Sequence, residues 1–180
     1  MRFAEELARL GTITLAGLLL SGCWPTARSG PGGYRTFRDG SSAAIILQAE
    51  KKATPAGARV LAQARAMTVD KHEILPGSCW DYVDAVYNRA GYSGGKRRTV
   101  FKGATSGPYA TAADIQAGDW LYFVNHSYND IEHSSMFVAW ADREALQGWL
   151  LSYAGERRAE PPSYKLYSLD STYQIIRPQD

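Results

Sequence analysis

The run SSMFVAW, residues 134–140, gives the clearest indication of the fold of this chain. It is rich in aromatic and aliphatic residues and predicts a β-strand. Similar runs precede and follow it, and turns separate each from the next: WLYFV (120–124), WLLSYA (149–154), YKLYSL (164–169) and YQIIR (173–177). These runs predict an antiparallel meander of about five strands in the second half of the chain.

The first half of the chain predicts helices instead. Residues 43–53 and 55–67 have helical composition, and Pro55 suits the first position of a helix. Residues 79–90 carry apolar side chains close to helical spacing, with Ser78 as the expected N-cap. We interpret residues 93–118 as a loop. Helices followed by strands predict an α+β fold in which the helices pack on one sheet.

The amino-terminal segment has the features of an export signal. Residues 10–22 form an apolar run that is too short to span a bilayer, and it ends in Leu-Ser-Gly-Cys at residues 20–23. This pattern resembles the bacterial lipobox, in which the cysteine becomes the lipidated first residue of the mature chain. We therefore predict a lipoprotein signal peptide at 1–22 and lipidation of Cys23; the alternative is a core helix that ends in cysteine.

The rest of the domain organisation follows from composition. Residues 23–42 are rich in Gly, Pro and Ser, which predicts a flexible tether from the lipidated cysteine. The folded domain is expected at 43–180. Trp24 occupies the position where aspartate would indicate retention in the inner membrane, so we expect a lipid anchor in the outer membrane, facing the periplasm. Several acyl chains would make that anchor stable.

Charge and cysteine content exclude several classes of function. The formal net charge is only +2, so electrostatics gives no argument for nucleic acid as a partner. The chain has two cysteines, and lipidation of Cys23 would leave Cys79 without a disulfide partner. A zinc site is not expected, because no second cysteine is then available and the chain has three histidines. We expect a monomer that needs no metal or organic cofactor.

Cys79 is the candidate nucleophile because it lies at the start of a predicted helix. The free N–H groups there favour a thiolate and can stabilise an oxyanion. A cysteine nucleophile also needs a base, and His133, at the start of a predicted strand, is the best candidate. Pairing of residues 133–140 with 148–155 would place Ser152 near His133, where its hydroxyl could orient the imidazole.

The order of these motifs resembles a known family. The chain has a cysteine at a helix start, then the Gly-Asp turn and strand GDWLYF (118–123), then HSSMFV (133–138). This order is similar to that of the NlpC-type papain-like cysteine peptidases of bacterial cell walls. The segment Cys-Trp-Asp-Tyr-Val (79–83) also resembles the cysteine- and histidine-dependent amidohydrolase/peptidase (CHAP) family. The resemblance covers residues of about 70–177 and implies a compact papain-like fold.

We therefore predict a hydrolase of the cell envelope that cleaves an amide bond through a thioester intermediate. The resemblance implies a peptide of peptidoglycan as the substrate. Two alternatives stay open: an amidase or acyltransferase that acts on lipid or small amides, and a non-catalytic envelope lipoprotein of the same fold. The basic run at residues 96–98 is expected to be a solvated loop, although it could recognise a carboxylate.

Overall fold

A computed structural model describes residues 36–37 and 40–180. Three α-helices and seven β-strands make up the fold: α1 (Gly40–Lys52), α2 (Pro55–Arg65), α3 (Cys79–Arg89), β1 (Thr36–Phe37), β2 (Arg97–Lys102), β3 (Trp120–Asn125), β4 (Ile131–Asp142), β5 (Gln147–Ser152), β6 (Ser163–Ser168) and β7 (Thr172–Pro178). All strand pairs are antiparallel. The predicted α+β class is confirmed.

The amino-terminal predictions fall largely outside the described residues. This applies to the signal peptide at 1–22, to Cys23 and to most of the predicted tether. The structure shows β1 and the first residues of α1 within the range 23–42. Folded elements therefore begin before residue 43, the predicted start of the domain. Among the described residues, no helix has both the length and the apolar character that a membrane span requires.

The predicted helices are present, and their ends follow from local chemistry. Pro55 begins α2, and the side chain of Thr54 accepts a hydrogen bond from the backbone N–H of Gly57. Ser78 caps α3 as expected. It forms a capping box with Asp81, whose carboxylate accepts from the Ser78 backbone N–H at 2.7 Å. This reciprocal pair fixes the position at which the helix carrying Cys79 begins.

The sheet differs from the prediction in strand number and order. All five predicted strands are present, but the sheet has seven, in the order β1-β6-β5-β4-β3-β7-β2. The meander extends only from β3 to β6. The last strand, β7, returns across the sheet to pair with β3 and β2. Part of the predicted loop at 93–118 is the edge strand β2.

The sheet separates two apolar clusters. The three helices cover one face, where Tyr82, Val86 and Tyr87 of α3 pack with Trp120 and Met136 of the sheet. The second cluster contains residues of β3, β4, β5, β6 and β7, among them Leu121, Phe123, Phe137, Leu150, Tyr167 and Ile175. Because side chains alternate along a strand, neighbouring residues contribute to different clusters. The face on which a residue lies therefore decides whether it meets α3.

Tyr87 joins α3 to the sheet through a buried hydroxyl, which donates to the carbonyl of Gly118 at 2.6 Å. We expect Tyr87→Phe to lower the free energy of unfolding by about 1–2 kcal/mol, because it leaves a buried carbonyl without this donor. Urea denaturation measures the change. Tyr128→Phe is the control, since Tyr128 is 47% exposed. Equal stability of the two variants would contradict the assigned role.

Candidate active site

A cavity of about 490 Å³ opens at one end of the sheet. It lies where β3 and β5 end, where β4 and β6 begin, and next to the first turn of α3. Cys79, His133 and Ser152, the three residues predicted to form the site, all line it. The remaining lining residues are Ser78, Asn125, Tyr128, Ile131, Glu132, Tyr153, Ala154, Arg158, Glu160, Lys165 and Tyr167. Four separate segments of the chain thus line one cavity.

Cys79 is the first residue of α3 and carries a free, half-buried thiol. The loop before it is fixed to the chain that follows β5. The hydroxyl of Tyr153 donates to the carbonyl of Leu75 at 2.6 Å, and the backbone N–H of Glu156 donates to the carbonyl of Gly77 at 3.0 Å. These two hydrogen bonds hold the start of α3 against the end of β5, at the margin of the cavity.

His133 is held by a chain of hydrogen bonds across three strands. Its Nε2 lies 3.0 Å from the hydroxyl of Ser152, and that hydroxyl lies 2.8 Å from the hydroxyl of Tyr167. The rings of Phe123 and Tyr167 pack beside the imidazole, with centroids 5.5 and 5.6 Å away. Because Nε2 is engaged by Ser152, Nδ1 is the nitrogen that remains for a second partner.

Burial and charge both keep His133 neutral. Burial is the larger cause and the ammonium of Lys165 the second; together they lower the pKa of His133 from 6.5 to about 4. Both disfavour the imidazolium form. At neutral pH the ring is therefore a neutral imidazole, which is the form that a general base requires.

This pKa shift predicts a stability that depends on pH. Between about pH 6.5 and 4 the unfolded chain binds a proton at His133 that the folded protein does not. The free energy of unfolding should therefore fall as the pH decreases through this range, by at most about 3 kcal/mol. His133→Gln should remove that loss when urea denaturation at about pH 7 is compared with about pH 4.5. An unchanged difference would contradict the assignment.

The control for this experiment is His126→Gln. His126 is exposed and bonds to Asp130 through Nδ1 at 2.7 Å. It lies outside the cavity lining, so its replacement should leave the pH-dependent loss of stability caused by His133 in place.

Cys79 and His133 approach the cavity from different faces of the sheet. His133 pairs directly with Phe123 and lies on the face of the second apolar cluster, whereas α3 packs on the opposite face. Among the described residues, no hydrogen bond joins the thiol to the imidazole. The structure therefore brings Cys79, His133 and Ser152 to one cavity, but it directly pairs only the last two.

Trp80, the residue after Cys79, is not at the core position that helical spacing predicts. Trp80 is 45% exposed, and its indole N–H donates to the hydroxyl of Tyr122 at 2.9 Å. Its ring also packs tilted against Trp120 at 5.4 Å. Because its indole N–H is satisfied by the Tyr122 hydroxyl, Trp80 can remain at the surface next to Cys79.

Two residues of the site were not predicted from the sequence. Tyr167 completes the hydrogen-bond chain of His133, and Lys165 supplies a positive charge to the cavity. Both belong to the run YKLYSL, where a spacing of two places them on one face of β6.

The basic run at 96–98 is not part of the lining. Its Arg97 instead forms an ion pair with Asp84 at 2.6 Å.

No group of His, Cys, Asp and Glu side chains within residues 36–37 and 40–180 is arranged to hold a metal ion. Comparisons of the chain with protein-family models, curated proteins and solved structures found no match. The resemblance to NlpC-type and CHAP-type peptidases, including the papain-like fold, thus rests on the sequence motifs. The function has to be argued from the geometry and chemistry of the cavity.

Proposed function

We propose that this protein is a cysteine-dependent amide hydrolase of the bacterial cell envelope. One observation carries the proposal. A free cysteine at a helix N-terminus and a neutral histidine, oriented through its second nitrogen, open into the same cavity. Nucleophile, base and orienting group are the parts that nucleophilic catalysis by cysteine requires.

The reaction would proceed in two steps. The sulfur of Cys79 attacks the amide carbonyl while Nδ1 of His133 takes the thiol proton. The backbone N–H of Cys79 stabilises the oxyanion. His133 then gives the proton to the leaving amine, the C–N bond breaks, and a thioester remains on Cys79. Water, deprotonated by His133, cleaves the thioester, which releases the acid and regenerates the thiol.

The low pKa of His133 limits how long the protonated imidazole can persist in this reaction. A stable imidazolium is disfavoured by burial and by Lys165, so the proton should be passed to the leaving amine soon after it is taken. The proton transfer also needs Sγ and Nδ1 to meet at the end of the sheet. Catalytic hydrogen bonds are often long in unliganded enzymes and tighten when substrate binds.

Peptidoglycan is the proposed substrate because of the resemblance to wall peptidases. The test is digestion of purified peptidoglycan by the full chain in detergent, next to Cys79→Ala, with the products identified by mass spectrometry. New muropeptides from the wild type alone are the expected result. Absence of products, with a thiol that iodoacetamide alkylates rapidly at about pH 6, would favour the amidase or acyltransferase alternative on lipid or small amides.

The second candidate is a non-catalytic envelope protein that binds wall peptides. The approach of Cys79 and His133 from opposite faces of the sheet favours it. A thiol that iodoacetamide does not modify, in a protein that still retains peptidoglycan in a pull-down assay, would support this candidate and contradict the hydrolase.

The proposed location is the outer membrane, through lipid on Cys23. We expect the wild-type protein to fractionate with membranes and Cys23→Ser to lose acylation, because the thiol is the attachment point. Metabolic labelling with an alkyne-tagged fatty acid measures this. Cys79→Ser is the matched control and should keep the label. Labelling of Cys23→Ser would contradict the anchor.

A further inference from the structure

Lys165 places an ammonium group in the cavity, where no acidic side chain of the described residues forms an ion pair with it. It lies on β6, is half-buried and lines the cavity. Of the ion pairs found among the described residues, none includes it. Partial burial of an ammonium without a counter-charge is unfavourable. A ligand that brings a negative charge would therefore bind there favourably.

The position of Lys165 relates this charge to the reacting groups. Alternation along β6 places Lys165 and Tyr167 on one face, and Tyr167 bonds to Ser152. The Lys165 charge is also one of the two causes that keep His133 neutral. The ammonium thus lies close enough to act on the imidazole, so an anionic group bound to it would lie near the amide undergoing attack.

The carboxylates of the cavity lining do not neutralise Lys165. Glu132 is exposed, accepts a hydrogen bond from the Tyr173 hydroxyl at 2.8 Å, and by alternation along β4 belongs to the face opposite His133. Glu160 is exposed at the margin of the cavity. Arg158, also exposed, donates to the hydroxyl of Tyr128. Lys165 is therefore the cation of the lining that shares the face of His133.

We propose that Lys165 binds a carboxylate of the substrate, next to the amide bond that is cleaved. The substrate class is then an amide that carries a free carboxylate close to its scissile bond, such as an acylated amino acid or a peptide. One ammonium balances one negative charge. A phosphate group, which carries more charge and more acceptor oxygens, usually needs several donors. This inference rests on the proposed function, because it assigns the substrate class of that same site.

The binding of such a substrate would also change the base. A carboxylate that neutralises Lys165 removes one of the two causes of the low pKa of His133. The imidazole then becomes a better proton acceptor only when the charged substrate is present. An amide without the carboxylate would lack both the ion pair and this gain in basicity.

The experiment measures binding rather than turnover. The full chain with Cys79→Ala, in detergent, is titrated at about pH 6 with N-acetylglycine and with N-acetylglycinamide, and NMR signals of the His133 ring report binding. We expect N-acetylglycine to bind at least about tenfold more tightly, and to raise the pKa of His133. Lys165→Met should abolish this preference, Lys165→Arg should keep it, and the exposed-lysine control Lys102→Met should not change it.

Three outcomes would overturn the proposal: equal affinity for the two probes, an unchanged preference in Lys165→Met, and tighter binding of inorganic phosphate than of N-acetylglycine. Because Cys79→Ala cannot form a thioester, these outcomes are independent of the proposed catalysis. Carboxylate binding without wall hydrolysis would contradict the hydrolase alone. Wall hydrolysis without a preference for the carboxylate would contradict the carboxylate site alone.

Discussion

Cys79→Ala should abolish the release of muropeptides from peptidoglycan, because no other group in the proposed scheme forms the thioester. His133→Ala should lower kcat/KM by about 10²–10⁴-fold, the usual contribution of a general base. Ser152→Ala should lower kcat by a smaller factor, about tenfold, because Ser152 only orients the ring. Steady-state assays with the full chain in detergent measure all three variants.

The matched control for the histidine is His126→Ala, since His126 is exposed and outside the cavity lining. It should retain wild-type activity. If Ser152 had only a structural role, Ser152→Ala would leave the pH–rate profile unchanged. If Ser152 orients His133, loss of the hydrogen bond to Nε2 should shift the acidic limb of the pH–rate profile. One result would reverse the assignment: activity that survives Cys79→Ala and disappears in Ser152→Ala would make the Ser152 hydroxyl the nucleophile.

Arg177→Met should lower the free energy of unfolding by about 3–5 kcal/mol, the usual loss when one partner of a buried ion pair is removed. Asp119 is 1% exposed and lies directly before β3, at the end of a turn that its backbone N–H closes on the carbonyl of Gln116. Its two carboxylate oxygens each accept a hydrogen bond from the Arg177 guanidinium at 2.8 Å. Without Arg177 the carboxylate would remain buried and uncompensated. Urea denaturation at neutral pH measures the change.

The control for Arg177 is Arg59→Met. Arg59 pairs with Asp180 at the surface, where both side chains are more than half exposed. Such pairs contribute about 0–1 kcal/mol, and the hydrogen bond from Arg59 Nε to the Tyr92 hydroxyl contributes about as much, so this variant should lose clearly less stability than Arg177→Met. The combined change Arg177→Met with Asp119→Asn should recover part of the lost stability, because it removes the buried charge. Equal losses in Arg177→Met and Arg59→Met would contradict the role assigned to the buried pair.

The local elements of the fold could be predicted because their signals are contained in short segments. Pro55 and Ser78 specify helix starts through backbone geometry and a hydroxyl acceptor. The strand β2 was not predicted because three of its six residues, RRTVFK, are charged, as is typical of an exposed edge, and because its pairing partner lies far along the chain. The pairing of β7 with β3 also joins strands that are distant in the sequence. A run of apolar residues predicts a strand but does not specify its partner.

The sequence predicted three residues of the candidate site, but it did not predict how they are arranged. The predicted hairpin placed the partner of His133 near residues 152–155, with Ser152 preferred, and the structure places Nε2 of His133 3.0 Å from the Ser152 hydroxyl. Tyr167 and Lys165 could not be found in this way, because they come from the next strand and act through side-chain direction. The opposite faces of Cys79 and His133 also depend on how α3 packs, which the spacing of residues along the chain does not specify.

The position of β7 in the sheet affects how the protein can fold during its synthesis on the ribosome. This strand, Thr172–Pro178, lies between β3 and β2 but is synthesised after all the other described strands. Until it emerges, β3 lacks its second neighbour and Asp119 lacks its counter-ion. We expect the sheet of the nascent chain to remain incomplete until β7 has emerged, because the pairing of β7 with β3 and β2 cannot form earlier. A chain whose sheet is still incomplete can pass through a translocation pore, as the proposed export to the cell envelope would require.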